Sequence, residues 1–263
     1  MLARIYLAAD RARRRIGIAI DGTWTGIWLG LLRPADLHVV DEMFYASRSS
    51  YHTDEHNRRG LFDWEVDAIN KHFPPRGLLR LIGAGGGREV LALTERGYAV
   101  EAYECNPSLV RSANELLANM SPRPEVKFLA RDCAPGGATK ADGIIVGWSA
   151  YMLISSRARR IALLKGLRTG ASNGTPLLIS FFTRSGSERR LQFVASVAAT
   201  VRRLRGGEPP GLGDDLVPLF VHRFTREEVE AELAAAKFQL IEFREEGWGP
   251  YDSGFAVALA RDE

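Results

Sequence analysis

The chain has 263 residues, of which 46% are hydrophobic and 25% are charged. This length and composition suit one sizeable α/β domain with appendages and argue against a second independent domain. The formal net charge of +3 is too small to indicate a nucleic-acid partner by itself. We therefore expect a globular protein that does not bind nucleic acid.

No segment of the sequence predicts secretion or a membrane span. The two longest uncharged apolar stretches, 23–32 and 143–155, are shorter than the roughly 20 residues that cross a bilayer. Near Met1, a cluster of arginines follows the apolar residues instead of preceding them, which is the reverse of a secretory signal. These features predict a cytoplasmic protein with no membrane partner.

Residues 1–76 have a helical pattern and are predicted to lie outside the core fold. Glycine and tryptophan cluster at 21–30, and apolar residues at helical spacing predict helices over 34–45 and 61–73. The polar stretch 47–60 separates those two helices. It contains His52 and His56, but no third ligand has a fixed spacing, so we expect no metal site. These N-terminal helices could also form a homodimer interface.

The segment LLRLIGAGGGREVLALTERGYAVEAYE, residues 78–104, is the most informative part of the sequence. An apolar strand is followed by a turn with alternating glycines, a helix, and a second strand that ends in Glu104. Glycine lets the backbone approach a ligand closely, and a carboxylate after the second strand can accept both hydroxyls of a ribose. The pattern predicts a cofactor that contains a nucleoside.

The spacing of these glycines argues against a dinucleotide. In a dinucleotide-binding turn the third glycine comes five positions after the first, so that the helix offers its N-terminus to a pyrophosphate. Here the glycines are Gly83, Gly85 and Gly87, and the fifth position is Arg88. We therefore do not expect phosphate recognition.

The rest of the chain alternates between helix and strand, which predicts a doubly wound α/β sheet. A long insertion, 185–223, separates the fifth strand from the last large helix, and we expect it to stand over the ligand-binding edge of the sheet. The predicted elements are a helix over 107–120, a strand over 126–130 that leads to Asp132, a strand over 141–148, a helix over 156–169, a strand over 175–182, a helix that starts at the capping box of Thr225 and Glu228, and a closing strand pair over 239–244 and 255–261.

In its glycine spacing, its acids after the second and third strands and its closing strand pair, the segment 77–262 resembles the class I S-adenosylmethionine-dependent methyltransferases. The resemblance implies a Rossmann-like, seven-stranded sheet that is mostly parallel with an antiparallel last strand and has helices on both faces. It also implies a methyltransferase domain over 77–263 and a helical lid over 1–76. The cofactor would be S-adenosylmethionine, and its product S-adenosylhomocysteine.

The same resemblance implies which residues bind that cofactor. From the lid, Tyr51 and either Arg58 or Arg59 are expected to reach the cofactor's carboxylate, because arginine binds carboxylates through two parallel hydrogen bonds. The matching positions in the domain are Gly83, Ala84, Gly85 and Gly87 beneath the methionine part, Glu104 with Cys105 and Asn106 at the ribose, Asp132 and Cys133 at the adenine, and Gly147 and Trp148 beside the sulfonium.

The acceptor is less well specified. The loop after the fourth strand reads VGWSAY, without the proline-rich tetrapeptide of methyltransferases that act on amino groups of bases or the acids of metal-dependent catechol-type enzymes. We expect a metal-independent in-line transfer to an oxygen, nitrogen or carbon of a small molecule, with His222 or Tyr151 as general base. Two alternatives stay open: an NAD(P)-dependent oxidoreductase on a related fold, and a non-catalytic member that binds the cofactor or a partner.

Overall fold

The computed structural model describes residues 2–136, 139–184, 188–246 and 252–262. From residue 78 onward helices are interspersed with strands, as the sequence predicts. The helices are α1 (Leu2–Leu31), α2 (Pro34–Ser47), α3 (Asp54–Asn57), α4 (Asp63–His72), α5 (Arg88–Glu95), α6 (Pro107–Leu116), α7 (Arg157–Thr169), α8 (Glu188–Leu204) and α9 (Arg226–Ala235). The strands are β1 (Leu78–Ile82), β2 (Ala99–Glu104), β3 (Val126–Phe128), β4 (Gly143–Val146), β5 (Pro176–Thr183), β6 (Asp214–Leu216), β7 (Phe220–Phe224), β8 (Phe238–Glu246) and β9 (Ser253–Ala260).

One mixed sheet forms the centre of the molecule. Strands β3, β2, β1, β4 and β5 are neighbours in that order and run parallel, and β9 pairs antiparallel with both β5 and β8. These seven strands confirm the predicted sheet, including its antiparallel last strand. Because parallel strand ends meet at one edge, the loops after β1, β2, β3 and β4 lie together.

The insertion adds two strands that the sequence did not predict. Strands β6 and β7 pair antiparallel, and β7 joins β5 only at Phe182 and Thr183. Strands this short carry too little periodicity to be recognised in a segment that is otherwise rich in glycine and arginine. The first residues of the predicted insertion, 185–187, lie outside the described residues.

Both faces of the sheet are covered by helices. Along β5, Leu177 and Ile179 pack into a cluster with α7 and α9, whereas Leu178 packs into the opposite cluster with α4 and α5, as expected for side chains that alternate along a strand. Helix α4 belongs to this core layer, since its Trp64 and Ile69 are buried there. Of the N-terminal section, α2 and the segment up to α3, residues 34–57, cover the edge of the sheet, and we call this segment the lid.

Helix α1 packs on the insertion instead of on the sheet. It lies along α8, and its Leu29 shares a small buried cluster with Val194, Ala198 and Phe220. The insertion therefore holds the N-terminal helix in place. Across the described residues, no helix is both long and apolar enough to cross a membrane.

Candidate active site

The turn after β1 has a left-handed backbone. Gly83, Gly85 and Gly87 have φ angles of 77°, 55° and 96°, a region in which a residue with a Cβ atom is strained. The amides of Gly83 and Ala84 donate to the carbonyl oxygen of Tyr103 at 2.8 and 3.0 Å, which fixes the turn to β2. A Cβ atom on Gly85 would meet nothing within 4 Å. The space beside Gly85 is therefore open to a ligand.

Two glycines allow the ends of β1 and β4 to approach each other. A Cβ atom on Gly147 would lie 2.3 Å from the carbonyl oxygen of Gly83, and one on Gly83 would lie 2.6 Å from Cβ of Ala150. No side chain fits in the first gap. Gly147, predicted as a cofactor contact, thus has a clear structural role in bringing the two strand ends together.

The carboxylate of Glu104 is held by three backbone amides. It accepts hydrogen bonds from Gly85 at 2.8 Å, Cys105 at 2.7 Å and Asn106 at 2.8 Å, and the residue is 6% exposed. A carboxylate offers about four acceptor positions, so one remains for a donor from a ligand. The side chain of Asn106 instead caps α6 by accepting from the amide of Ser108 at 2.9 Å.

Three adjoining cavities follow the sheet edge beyond β1, β2, β3 and β4. The loop cavity is lined by the glycine turn, Glu104 and lid residues, the middle cavity by Glu104 and the loop after β3, and the outer cavity by that loop and α2. The predicted residues that line the loop cavity are Gly83, Ala84, Gly85, Glu104, Cys105, Tyr51 and Trp148. Together the cavities form one elongated crevice.

A second acid, Asp41 of α2, faces Glu104 across this crevice. Asp41 forms an ion pair with Arg131 from the loop after β3, and both residues line the loop and outer cavities. Burial raises the pKa of Asp41 to about 6, Arg131 opposes the shift, and the charge of Glu104 adds to it. Asp41 was not among the predicted site residues, although it stands four residues after the buried Leu37 and so shares the inward face of the helix.

Asp132 lies where the third strand was expected to deliver an acid. It lines the middle and outer cavities, has a φ of 60°, and lies 3.3 Å from the guanidinium of Arg159. The resemblance implies that the backbone amide of the neighbouring Cys133 contacts the adenine, but in the structure this amide is bonded within the loop. The Cys133 amide donates to the carbonyl oxygen of Ala130 at 3.2 Å, and its side chain is exposed. This amide is therefore already paired.

The lid brings aromatic rings to the loop cavity. The rings of Tyr45 and Tyr51 lie 4.9 Å apart, and Tyr51 meets the imidazole of His56 at 5.2 Å, both edge to face. Trp148 approaches from the loop after β4 and packs edge-on against Phe62 at 4.9 Å. Its indole N–H is buried and has no hydrogen-bond partner among the described residues, so an acceptor on a ligand would satisfy it.

His56 and Asn57 of α3 connect the lid to the glycine turn. Asn57 donates to the carbonyl oxygen of Tyr51 at 3.1 Å, and a Cβ atom on Gly86 would lie 2.3 Å from that oxygen. The His56 ring lines the loop cavity, and burial together with the charge of Arg88 lowers its pKa. Both effects favour the neutral imidazole, whose free ring nitrogen is the form of histidine that accepts a proton.

The predicted Arg59 does not line the loop cavity, whereas Arg88 and Arg131 do. Arg59 is exposed and lies 5.1 Å from the centre of the Phe62 ring, and Arg58 pairs with Asp54 on the surface. Arg88 lines the loop cavity, but its guanidinium is buried and binds Glu65 through two hydrogen bonds of 2.7 Å. The sequence gives no sign of this ion pair, because Glu65 is 23 residues away from Arg88.

The two predicted general bases are bonded elsewhere. Tyr151 is 0% exposed and donates its hydroxyl to Glu232 at 2.6 Å. The Nδ1 atom of His222 lies 2.6 Å from Asp214, and its Nε2 atom lies 3.8 Å from Glu228. Both side chains belong to buried polar networks behind β4 and β7, and the residues that line the three cavities do not include them. The geometry gives neither of them access to a reacting atom.

Comparison with known proteins identifies the fold. No family model and no curated protein matches the sequence. A SAM-dependent methyltransferase from Methanosarcina mazei superposes with a TM-score of 0.64 over 78% of this chain and 100% of its own, at 17% identity. The fold is that of the S-adenosylmethionine-dependent methyltransferases.

Other solved methyltransferases superpose in the same way. The glycopeptide N-methyltransferase MtfA, solved in complex with S-adenosylmethionine, gives a TM-score of 0.55 over 75% of this chain and 86% of its own, at 16% identity. The CcbJ methyltransferase from Streptomyces caelestis gives a TM-score of 0.59 over 82% and 97%, at 10% identity. At such identities the likeness concerns the methyltransferase fold and does not assign a function to the residues of the crevice.

Proposed function

We propose that this chain is an S-adenosylmethionine-dependent methyltransferase that acts on a small molecule without a metal ion. The observation that carries the proposal is the hydrogen bond from the amide of Gly85 to Glu104, inside a turn with three left-handed glycines. It joins the two sequence features from which a nucleoside cofactor was predicted. MtfA has been solved with S-adenosylmethionine, S-adenosylhomocysteine and sinefungin, which supports this choice of cofactor.

The residues of the crevice suit such a cofactor chemically. The remaining acceptor position of Glu104 suits a ribose hydroxyl, and Asp132 suits the amino group of an adenine in the middle cavity. The open space beside Gly85 admits the chain of a methionine. The unpaired indole N–H of Trp148 suits a carboxylate or another acceptor in the loop cavity. We assign these four residues to cofactor binding.

The protein's contribution to methyl transfer is mainly alignment, an apolar surface and a proton acceptor. When bound, S-adenosylmethionine supplies a methyl group on a positively charged sulfur. The faces of Tyr45, Tyr51 and Trp148 favour a cation in the loop cavity. The lid reaches the glycine turn through Asn57 and limits the access of water. His56 takes the proton from the hydroxyl or ammonium group of the molecule that is methylated. This is the role of general base that we predicted for His222 or Tyr151.

The size of the site favours a small acceptor. The loop cavity is confined between the lid and the sheet edge, and it is lined by three aromatic rings together with charged and polar side chains that can fix the orientation of a ligand. An oxygen, nitrogen or carbon nucleophile would each fit this lining. Both cysteines are free thiols, which is consistent with the reducing cytoplasm that we propose as its location.

Calorimetry with S-adenosylhomocysteine and with NADH tests the proposal and its first alternative. We expect S-adenosylhomocysteine to bind and NADH not to bind, and preferential binding of NADH would refute the methyltransferase assignment. A panel of small acceptors with methyl-labelled S-adenosylmethionine then tests catalysis. Tight cofactor binding without label transfer to any acceptor would favour the second alternative, a non-catalytic binding protein.

A further inference from the structure

Helix α1 uses a row of glycines to pack on α8. Cβ atoms on Gly22, Gly26 and Gly30 would lie within 2.8, 2.7 and 2.6 Å of Phe193, Val197 and Val201, respectively. The residue numbers of the contacting positions increase together along α1 and α8, so the two helices run parallel. Asp21 pairs with Arg190 in the first turn of α8 at 2.9 Å, which marks the start of the contact.

The part of α1 before this contact extends beyond α8. Residues 16–20 are all exposed, and a Cβ atom on Gly17 would meet nothing within 4 Å. The helix nevertheless begins at Leu2. Tertiary packing supplies most of the stability of a helix in a protein, so a binding surface that covers the exposed residues 16–20 would stabilise this part of α1.

One side of the exposed helix is strongly apolar. Ile16 is 60% exposed, Ile20 is 66% exposed and Trp24 is 64% exposed, and Trp28 continues the row at 40%. These residues recur every four positions and so form one stripe along the helix, away from the glycines. The rings of Trp24 and Trp28 lie 5.6 Å apart. A contiguous apolar stripe of this kind marks an interaction surface.

The same helix has a strongly positive first half. Residues 2–15 contain the arginines at positions 4, 11, 13, 14 and 15 and a single acid, Asp10. A partner must therefore offer negative charge next to an apolar layer. A bilayer with anionic lipids offers both, whereas nucleic acid lacks the apolar layer and a second copy of α1 would bring the same positive charges.

We propose that α1 binds the surface of an anionic lipid bilayer. Its apolar stripe, Ile16, Ile20, Trp24 and Trp28, lies at the boundary of the acyl chains, and the arginines lie among the head groups. The helix rests on the bilayer and does not cross it, in agreement with the lack of a spanning helix in the described ranges. The sequence predicted no membrane partner because it contains neither a span nor a secretory signal, and a helix that lies on the bilayer surface requires neither. This proposal does not depend on the methyltransferase assignment.

Co-sedimentation of the full chain with lipid vesicles tests the proposal. We expect binding to vesicles of phosphatidylcholine with phosphatidylglycerol that is at least about tenfold stronger than to phosphatidylcholine alone. The double variant Ile20→Ser/Trp24→Ser and the charge variant Arg13→Glu/Arg14→Glu should each weaken binding about tenfold or more. Phe128→Ser is a matched control, since Phe128 is 57% exposed on the edge strand β3, and it should bind like the wild type.

Sedimentation equilibrium without lipid tests the main alternative occupant. A monomer that binds anionic vesicles supports the proposal. A homodimer that dissociates in Ile20→Ser/Trp24→Ser would show that a second copy covers the stripe and would overturn it, as would equal binding to neutral and anionic vesicles or no binding to either. Circular dichroism and binding of S-adenosylhomocysteine should be unchanged in all variants, so a folding defect is recognised separately.

Discussion

The amide of Gly85 donates a 2.8 Å hydrogen bond to the carboxylate of Glu104, across 19 residues of sequence. This bond joins the glycine turn after β1 to the acid after β2. The amides of Cys105 and Asn106 complete the carboxylate's surroundings. The acid is thus oriented before any ligand arrives, and this arrangement gives the most direct test of the proposed cofactor site.

Removing the Glu104 carboxylate should weaken cofactor binding. Glu104→Ala loses the acceptor that we assign to a ribose hydroxyl, and a charged hydrogen bond contributes on the order of 1.5 to 3 kcal/mol. Calorimetry with S-adenosylhomocysteine should therefore show a loss of about tenfold or more. Glu115→Ala is the control, because Glu115 is exposed on α6. An affinity for Glu104→Ala within about twofold of the wild type would contradict the ribose assignment.

Alanine substitutions at two glycines with positive φ distinguish backbone strain from a clash with the ligand. Gly85 and Gly97 have φ angles of 55° and 89°, and a Cβ atom on either would meet nothing within 4 Å. Alanine at either position should cost roughly 1 to 2 kcal/mol of stability through its left-handed conformation. Only Gly85→Ala should also weaken binding of S-adenosylhomocysteine, because its methyl group enters the loop cavity. Equal affinities for the two variants would place the cofactor elsewhere.

The pKa values of His56 and His222 should be shifted in opposite directions from the ordinary value of a histidine. Burial and Arg88 lower the pKa of His56 below 6.5. Burial also disfavours charge on His222, but the hydrogen bond to Asp214 and the nearby carboxylate of Glu228 outweigh it and raise the pKa of that ring. An NMR titration, assigned with His56→Gln and His222→Gln, should show His56 losing its proton first as the pH rises. The reverse order would remove the argument for His56 as proton acceptor.

The folded protein should become less stable as the carboxyl group of Asp41 ionises. Its pKa is raised by burial from 3.8 to about 6, so the folded protein holds this proton more tightly than the unfolded chain. Linkage then requires that the stabilisation is present at low pH and is lost as the pH rises from 3.8 to about 6.

Urea denaturation across that pH range measures this effect. The free energy of unfolding of the wild type should fall relative to that of Asp41→Asn as the pH rises, since the amide cannot ionise. Asp67→Asn, at an exposed position on α4, should follow the wild type. A constant difference between the wild type and Asp41→Asn would show that ionisation of Asp41 does not change the free energy of unfolding.

The buried network of Tyr151, Arg160 and Glu232 should contribute to the stability of the folded protein. Arg160 donates to both carboxylate oxygens of Glu232, with a shortest distance of 2.7 Å, and all three side chains are at most 2% exposed. Glu232→Gln leaves a buried guanidinium without its counter-charge and should cost about 3 to 5 kcal/mol. Chemical denaturation should show this loss, and Glu230→Gln, exposed on the same helix, should be neutral. Equal stability of the two variants would contradict a structural role for this network.

The sequence by itself determined the features that depend on neighbouring residues. Alternating glycines marked the left-handed turn, since glycine readily adopts positive φ. Strand and helix periods gave the doubly wound α/β sheet, whose seven strands the family resemblance implied, and Thr225 with Glu228 marked the start of α9 through the capping box that the structure contains. These signals are local, because backbone conformation and periodic burial are encoded within a few residues.

The tertiary structure decided which side chains face the crevice. Asp41, His56 and Arg88 line it because α2, α3 and α5 meet the same sheet edge, whereas Tyr151 and His222 turn away to bind buried acids. It also decided that α1 pairs with α8 and leaves Trp24 exposed. Such outcomes depend on contacts between residues far apart in the chain, where burial and charge pairing are set by packing and not by local pattern.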